Sequence, residues 1–314
     1  MKPHRIAPER WSPEPVAFIS CDWGTSRFRL VWVRAGRPVR AVQSPQGVGV
    51  LQQRRDFPRV LADGLRRLRA PAGLPVVISG MASSSIGWRE LPYARLPFSL
   101  TGHDAVWAEV QPNVFLISGV ASREDIMRGE ETQLLGLPVS GDALVILPGT
   151  HSKHARVRGG KLVGFQTFMT GELFAATAGH TVLARSVAAH APFDRRAFVA
   201  GVETVQQLPV AAALFRVRGR DVLQGVGRAA NRSFLSGVWV GAELAGLPAR
   251  IPVWVCATAA LAAAYATALR VLGRRARIVP PPQVEALARR GQALLLRRIL
   301  EARSCRNAVQ TDEI

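Results

Sequence analysis

The chain has 314 residues, 48% of them hydrophobic against 20% charged, which is enough apolar material for two domains with their own cores and too much for a disordered chain. A formal net charge of +19 invites a nucleic-acid partner. The charge is spread along the whole chain, however, with only Lys2, Lys153 and Lys161 as lysines and arginine pairs such as Arg66-Arg67 and Arg289-Arg290 on apparent amphipathic helices, and no basic arm, zinc-finger spacing or aromatic-rich RNA-binding strand accompanies it, so nucleic acid is not expected.

Residues 1–15 are charged and proline-rich without an apolar centre, which predicts a disordered tail rather than a signal peptide. A first α/β domain is expected over 16–138. Its apolar runs predict strands at 16–21, 28–33 and 39–44, a helix at 57–68 and buried strands at 76–79 and 114–117. A second domain is expected over 139–314. It repeats the pattern with strands at 143–147, 154–157 and 162–166, a strand at 253–256, a helix at 259–272, a strand at 276–279 and a helix at 283–303. Both halves therefore read βββ-α-β-α-β, with glycine and proline at the turns and a helical insertion over 171–247 in the second copy. The expected fold is a duplicated α/β arrangement of two mixed-sheet domains, with the ligand in the cleft that they form. No apolar run reaches membrane-spanning length, so no membrane partner is expected. Cys21, Cys256 and Cys305 are odd in number and widely separated, which fits a reduced cytoplasmic protein.

Each half places one turn after its first strand that is suited to phosphate. Cys21-Asp22-Trp23-Gly24-Thr25-Ser26 follows the first apolar run, and Leu147-Pro148-Gly149-Thr150-His151-Ser152-Lys153 follows the second. Glycine lets backbone N–H groups approach an anion closely, and the neighbouring hydroxyls add donors. Two such turns at corresponding places suggest a clamp on a polyphosphate, made by Gly24, Thr25 and Ser26 in one half and by Gly149, Thr150, His151, Ser152 and Lys153 in the other. Asp22, at the tip of a buried strand beside the first turn, is suited to hold Mg²⁺ directly or through water, the alternative being a carboxylate that caps the turn. Lys153 stands out in an arginine-rich chain as a compact, mobile point charge. His151 and His154 make a poor zinc site, because no third ligand accompanies the pair.

This duplication with paired phosphate turns is the layout of the actin-like ATPase superfamily of sugar kinases, whose domains are ribonuclease H-like. The motifs Asp22 to Arg29, Gly80-Met81 through Gly87-Trp88, Pro92-Tyr93, Met127 to Gln133, Pro148 to Lys153, Met169-Thr170-Gly171-Glu172 and Phe234-Leu235-Ser236-Gly237 resemble, in order, those of 2-dehydro-3-deoxygalactonokinases. The resemblance implies transfer of the ATP γ-phosphate to the 6-hydroxyl of 2-dehydro-3-deoxy-D-galactonate in galactonate catabolism, with ATP and Mg²⁺ as cofactors. The same reaction on the gluconate-derived epimer stays open, as does a homodimer. Glu130 and Glu131 are candidates to orient the attacking hydroxyl, the alternative for each being first-turn stabilisation of a helix. The Gly-Glu-Glu placement also resembles exopolyphosphatases of the superfamily, which keeps a phosphohydrolase as an alternative. A non-catalytic DNA-binding regulator is a third reading, without a helix-turn-helix segment before residue 16 to support it.

For the sugar acid, the loop from Gly80 to Trp88 supplies donors, Met81 and Ser84 among them. Trp88 and Tyr93 are placed to pack on the sugar chain, and Arg95 or Arg128 to bind its carboxylate. Arg29 and Thr170 complete the candidate substrate set. The sequence departs from the family at Ser83, His154 and Ala257, where glycine, tryptophan and glycine are usual.

Overall fold

The computed structural model describes residues 17–139, 141–248 and 250–311. The tail expected over 1–15 lies outside the described residues. Two compact units result: the chain through Ala121 with Arg128–Leu137 and the stretch from Ala286, and Ser122–Met127 with Pro138–Glu285.

In the first unit the strands are β1 (Phe18–Trp23), β2 (Phe28–Arg34), β3 (Arg37–Ser44), β4 (Val76–Gly80), β5 (Trp107–Gln111) and β6 (Val114–Ile117). They form one mixed sheet in the order β3-β2-β1-β4-β6-β5. β1 pairs antiparallel with β2 and parallel with β4, so it is central, and its residues Phe18, Ile19, Ser20 and Cys21 are all buried. That is why it reads as a continuous apolar run rather than an alternating one. Helix α1 (Asp56–Leu68) buries Phe57, Val60, Leu61 and Leu68 against this sheet's core.

The second helix expected between the strands at 76–79 and 114–117 does not form. After a single 3₁₀ turn, Met81–Ser83, the chain carries Gly87, Pro92, Pro97 and Gly102, and prolines inside that stretch remove the donors a helix would need. The segment instead makes a two-residue bridge, Ala94–Arg95 with Val120–Ala121, and leads into β5, which the apolar pattern missed. Helix α2 (Glu130–Leu135) follows.

The second unit contains β7 (Ala143–Leu147), β8 (Ser152–Arg158), β9 (Lys161–Phe168), β10 (Val253–Val255) and β11 (Ala276–Ile278). Their order, β11-β10-β7-β8-β9, repeats that of the first unit: three antiparallel strands in series, then two parallel strands on the other side of the first. The duplication read from the sequence is thus present as one topology used twice. Helices α3 (Thr170–His180), α4 (Arg195–Gln207), α5 (Val210–Gln224) and α6 (Arg228–Leu244) occupy the insertion, and α7 (Ala259–Val271) joins β10 to β11. α4 and α6 cross at glycines. A methyl group on Gly201 would stand 2.1 Å from the Phe234 carbonyl oxygen, and one on Gly237 would stand 2.0 Å from that of Phe198. The glycine of the Phe234–Gly237 motif therefore serves backbone-to-backbone packing.

Helix α8 (Pro281–Thr311) begins with two prolines, tolerated because the first turn has no intrahelical partners for its N–H groups. From Ala286 it belongs to the first unit, where a chain-order division at 138 would leave it with the second. Its Gly291 lies so close to the Thr132 carbonyl that a methyl there would come within 1.9 Å, and Gly136 of the first unit meets the Leu287 carbonyl in the same way. Among the described residues no helix is long and apolar enough to cross a membrane.

Candidate active site

In the first unit the β1–β2 turn presents Gly24, Thr25 and Ser26 at the surface, closed by the hydrogen bond from Gly24 N to Arg27 O (2.9 Å). A second segment supports it from behind. Val48 N donates to Gly24 O and Gly49 N to Thr25 O, and a methyl on Gly47 would meet Thr25 O at 2.3 Å. The only local signal of the Gly47-Val48-Gly49 triplet is two glycines in three residues after a strand, and its role depends on the contact with the turn. Asp22 is solvent-accessible on β1, opposite Arg29 of β2. Crowding by protein raises its pKa above the ordinary carboxylate value, with the Arg29 charge working against that rise.

Gly80 ends β4, the strand beside β1, with φ +96°. A side chain there would stand 2.8 Å from Trp23 O and 3.5 Å from Asp22 Oδ1. Gly129 (φ +106°) approaches Gly80 from the start of α2, at 3.6 Å between its ideal Cβ position and Gly80 Cα. Asp22, the Gly80 loop and Gly129-Glu130-Glu131 thus converge within one unit, around two glycines, Gly80 and Gly129, whose positive φ disfavours a side chain. Glu131 is buried and accepts from Gly129 N (2.7 Å) and Thr132 Oγ1 (2.9 Å). Its pKa is raised to about 7, by desolvation first and by the neighbouring Glu130 second, against those hydrogen bonds. Glu130 is half-buried and caps the turn, accepting from Arg128 N at 3.0 Å. From α8, Gln292 donates to Cys21 O (2.8 Å) and Ser79 Oγ (2.9 Å), stapling β1 to β4 just before Asp22 and Gly80.

The sugar-acid candidates fall into two groups. Met81 and Trp88 pack against the core of the first unit, Trp88 stacking on Phe57 with ring centroids 6.1 Å apart. Ser84 is buried and donates to Met81 O at 2.7 Å. Tyr93 lies under the Arg128 guanidinium, 4.3 Å from its ring centroid, and Arg128 Nη1 donates to Ser83 O (2.6 Å) and Ser83 Oγ (2.8 Å). Arg128 is thus held by the backbone and the hydroxyl of Ser83 together. Arg95 is exposed on the short bridge to Ala121.

In the second unit the β7–β8 turn exposes Gly149, Thr150 and His151. The start of α3 folds onto it: Glu172 N donates to Thr150 O (3.1 Å), a methyl on Gly171 would meet Gly149 O at 2.5 Å, and the Glu172 carboxylate pairs with His151 Nε2. Lys153 is buried, on the face of β8 opposite to Ser152 and His154. Ser152 corrects the expectation of an outward phosphate donor. It is fully buried, and its hydroxyl is hydrogen-bonded to Tyr265 (3.1 Å). His154 is likewise buried, 2.9 Å from Glu243 Oε1, and Thr170 reaches Oε2 of the same carboxylate at 2.5 Å. Ala257 is core, while Thr258 at the start of α7 is exposed. Among the described residues no group of three or more His, Cys, Asp or Glu side chains is placed to hold a metal.

Two sheets of one topology, each opening from its central strand into a turn of glycine and hydroxyl residues, define the actin-like ATPase fold, the architecture of the sugar-kinase superfamily. A match to the family described as 2-keto-3-deoxy-galactonokinase spans residues 22–294, and the chain belongs to that family. Among its relatives, a protein of Rhizobium meliloti named as a probable 2-dehydro-3-deoxygalactonokinase is 36% identical over 282 residues, covering 83% of this chain and 92% of the relative. The 2-dehydro-3-deoxygalactonokinase of Escherichia coli is 30% identical over 266 residues, covering 82% and 90%. A crystal structure from Sinorhizobium meliloti, provisionally assigned to the same enzyme, superposes with a TM-score of 0.81 at 35% identity, over 90% of this chain and 96% of that one.

Proposed function

We propose that the protein transfers the γ-phosphate of ATP to the 6-hydroxyl of 2-dehydro-3-deoxy-D-galactonate. The observation that carries this reading is the family match, whose span of residues 22–294 includes both phosphate turns, the Gly80 loop and the Gly-Glu-Glu segment. Phosphoryl transfer asks the protein mainly for positioning and charge stabilisation. In the first unit Thr25, Ser26 and the backbone of Gly24 are the phosphate-binding donors; in the second they are Thr150, His151 and the backbone of Gly149, with Lys153 supplying positive charge. Asp22 would supply the single carboxylate donor that Mg²⁺ uses when phosphate and water are its other partners. When bound, that ion neutralises phosphate charge. Glu131, poised near neutrality by burial, orients the attacking hydroxyl and accepts its proton. Arg128 and Tyr93 bind the carboxylate end of the sugar acid. The setting is cytoplasmic, in keeping with the free thiols of Cys21 and Cys256.

A coupled assay of ADP release over a panel of 2-keto-3-deoxy hexonates tests the reading. ATP consumption is expected only when a sugar acid is present, with the galactonate-derived acid preferred. Equal turnover with and without sugar acid points to a phosphohydrolase, and preference for the gluconate-derived acid reassigns the substrate.

A further inference from the structure

Behind the β7–β8 turn lies a buried polar chain that phosphate binding does not itself require. Glu243, on α6 and 4% exposed, accepts from the Tyr265 hydroxyl (2.7 Å) and from Thr170 Oγ1 (2.5 Å) at one carboxylate oxygen. At the other it meets His154 Nε2 at 2.9 Å. Tyr265 in turn meets Ser152 Oγ at 3.1 Å, and Ser152 Oγ accepts from Gly149 N at 3.4 Å. A carboxylate only accepts, whereas a phenol has a single proton to donate. The directions follow from that asymmetry. The Tyr265 proton points to Glu243, so Ser152 must donate to Tyr265, which leaves the Ser152 lone pairs for the Gly149 N–H. His154 must carry its proton on Nε2.

We propose that Glu243 is a positioning residue for nucleotide binding, acting through Tyr265 and Ser152 to set the conformation of the Gly149 turn and through Thr170 to set the start of α3 against that turn. This rests on the kinase reading above. A buried carboxylate without donors would be costly, and the three donors that satisfy it come from three separate elements, α3, α7 and β8. The same carboxylate therefore locks the two segments that frame Thr150 and His151. His154 supplies the donor to Oε1. Burial, followed by the Glu243 charge, raises the pKa of Tyr265 well above its ordinary value, which keeps the phenol proton in place.

The test is calorimetric titration of the full chain with Mg-ADP, comparing wild type, Tyr265→Phe, Ser152→Ala and the double variant. Tyr265→Phe removes one hydroxyl from a packed ring. It is expected to weaken Mg-ADP roughly threefold to tenfold, the range for the one neutral hydrogen bond, Ser152 to Tyr265, through which the turn is held. Ser152→Ala should match it, and the double variant should be no weaker than either single one, because both interrupt one relay. Unchanged affinity in Tyr265→Phe, even with a lowered melting temperature, overturns the proposal and leaves the hydroxyl a stability element only. Additive losses overturn it too. Wild-type protein that binds no Mg-ADP overturns the kinase reading together with the proposal, and is thereby distinguished from failure of the proposal alone. Nitrogen-15 NMR of the wild type gives an independent reading: His154 is expected as the Nε2–H tautomer, and the Nδ1–H tautomer overturns the assigned polarity.

Discussion

Replacing Glu131 by glutamine separates what this residue does for the reaction from what it does to stability. In the folded chain its pKa is raised from 4.5 to about 7, because the side chain is 1% exposed and Glu130 lies next to it. Below pH 4.5 the carboxyl is protonated in both folded and unfolded chains. Between 4.5 and 7 the folded chain holds a proton that the unfolded chain has released, so stability falls as pH rises and levels off above 7. At 1.36 kcal/mol per unit, the loss amounts to about 3 kcal/mol. Glutamine is neutral throughout and escapes that loss. It has one acceptor oxygen where the ionised Glu131 uses two, toward Gly129 N and Thr132 Oγ1, which costs about 1 kcal/mol above pH 7 only, because the protonated carboxyl, like the amide, has one carbonyl acceptor and a donor. Urea denaturation should therefore find Glu131→Gln about as stable as wild type at pH 4.5 and more stable by about 2 kcal/mol at pH 8. Activity should move the other way. If Glu131 takes the hydroxyl proton, wild-type kcat/KM rises with pH through a single ionisation near 7, and the variant loses at least about a hundredfold and the ionisation with it. A stability difference that is the same at both pH values refutes the assigned titration. Near-normal turnover in a folded variant refutes the base role.

Asp22→Asn should lower kcat at least about a hundredfold with the fold intact, since electrostatic stabilisation at the transferring phosphate is worth several kcal/mol; near-normal turnover at saturating Mg²⁺ would reduce Asp22 to a turn cap. Lys153→Ala should reduce kcat roughly tenfold to thousandfold, whereas Lys161→Ala, at an exposed turn, should change stability by no more than about 0.5 kcal/mol and leave turnover alone. Comparable activity of the two lysine variants in steady-state kinetics would remove Lys153 from the site. Gly237→Ala places a methyl 2.0 Å from the Phe198 carbonyl oxygen, so α4 and α6 must separate. Thermal denaturation should register a loss of about 1–3 kcal/mol, the usual cost of overpacking, and an unchanged midpoint would refute the close approach.

Much of this architecture is written in local patterns. Central strands such as β1 and β7 are buried on both faces and so appear as unbroken apolar runs, and the turns that follow them need glycine for backbone reasons alone. Two occurrences of that pair of signals identify the duplication, and the ordered motifs around them point to the family. What remained illegible depends on partners distant in sequence. Glu130 and Glu131 are adjacent and chemically identical, yet only the packing around α2 buries one and leaves the other half open, and only burial moves a carboxyl pKa toward neutrality. Ser152 looks like Thr25 in a phosphate turn, but the strand's alternation turns it inward to Tyr265, 113 residues away. Gln292 reaches Cys21 and Ser79 because α8 returns to the first unit, a docking decided by the fit of Gly136 and Gly291 against neighbouring backbone. Local sequence therefore determines most of the strands, turns and helices, since those choices are made largely by near neighbours; β5 and the irregular stretch after β4, where a helix was expected, are the exceptions. Which hydroxyl faces a ligand, which carboxylate is desolvated and which end of the chain supports the first motif are decided by tertiary structure, because desolvation and hydrogen-bond direction belong to the surroundings and not to the residue.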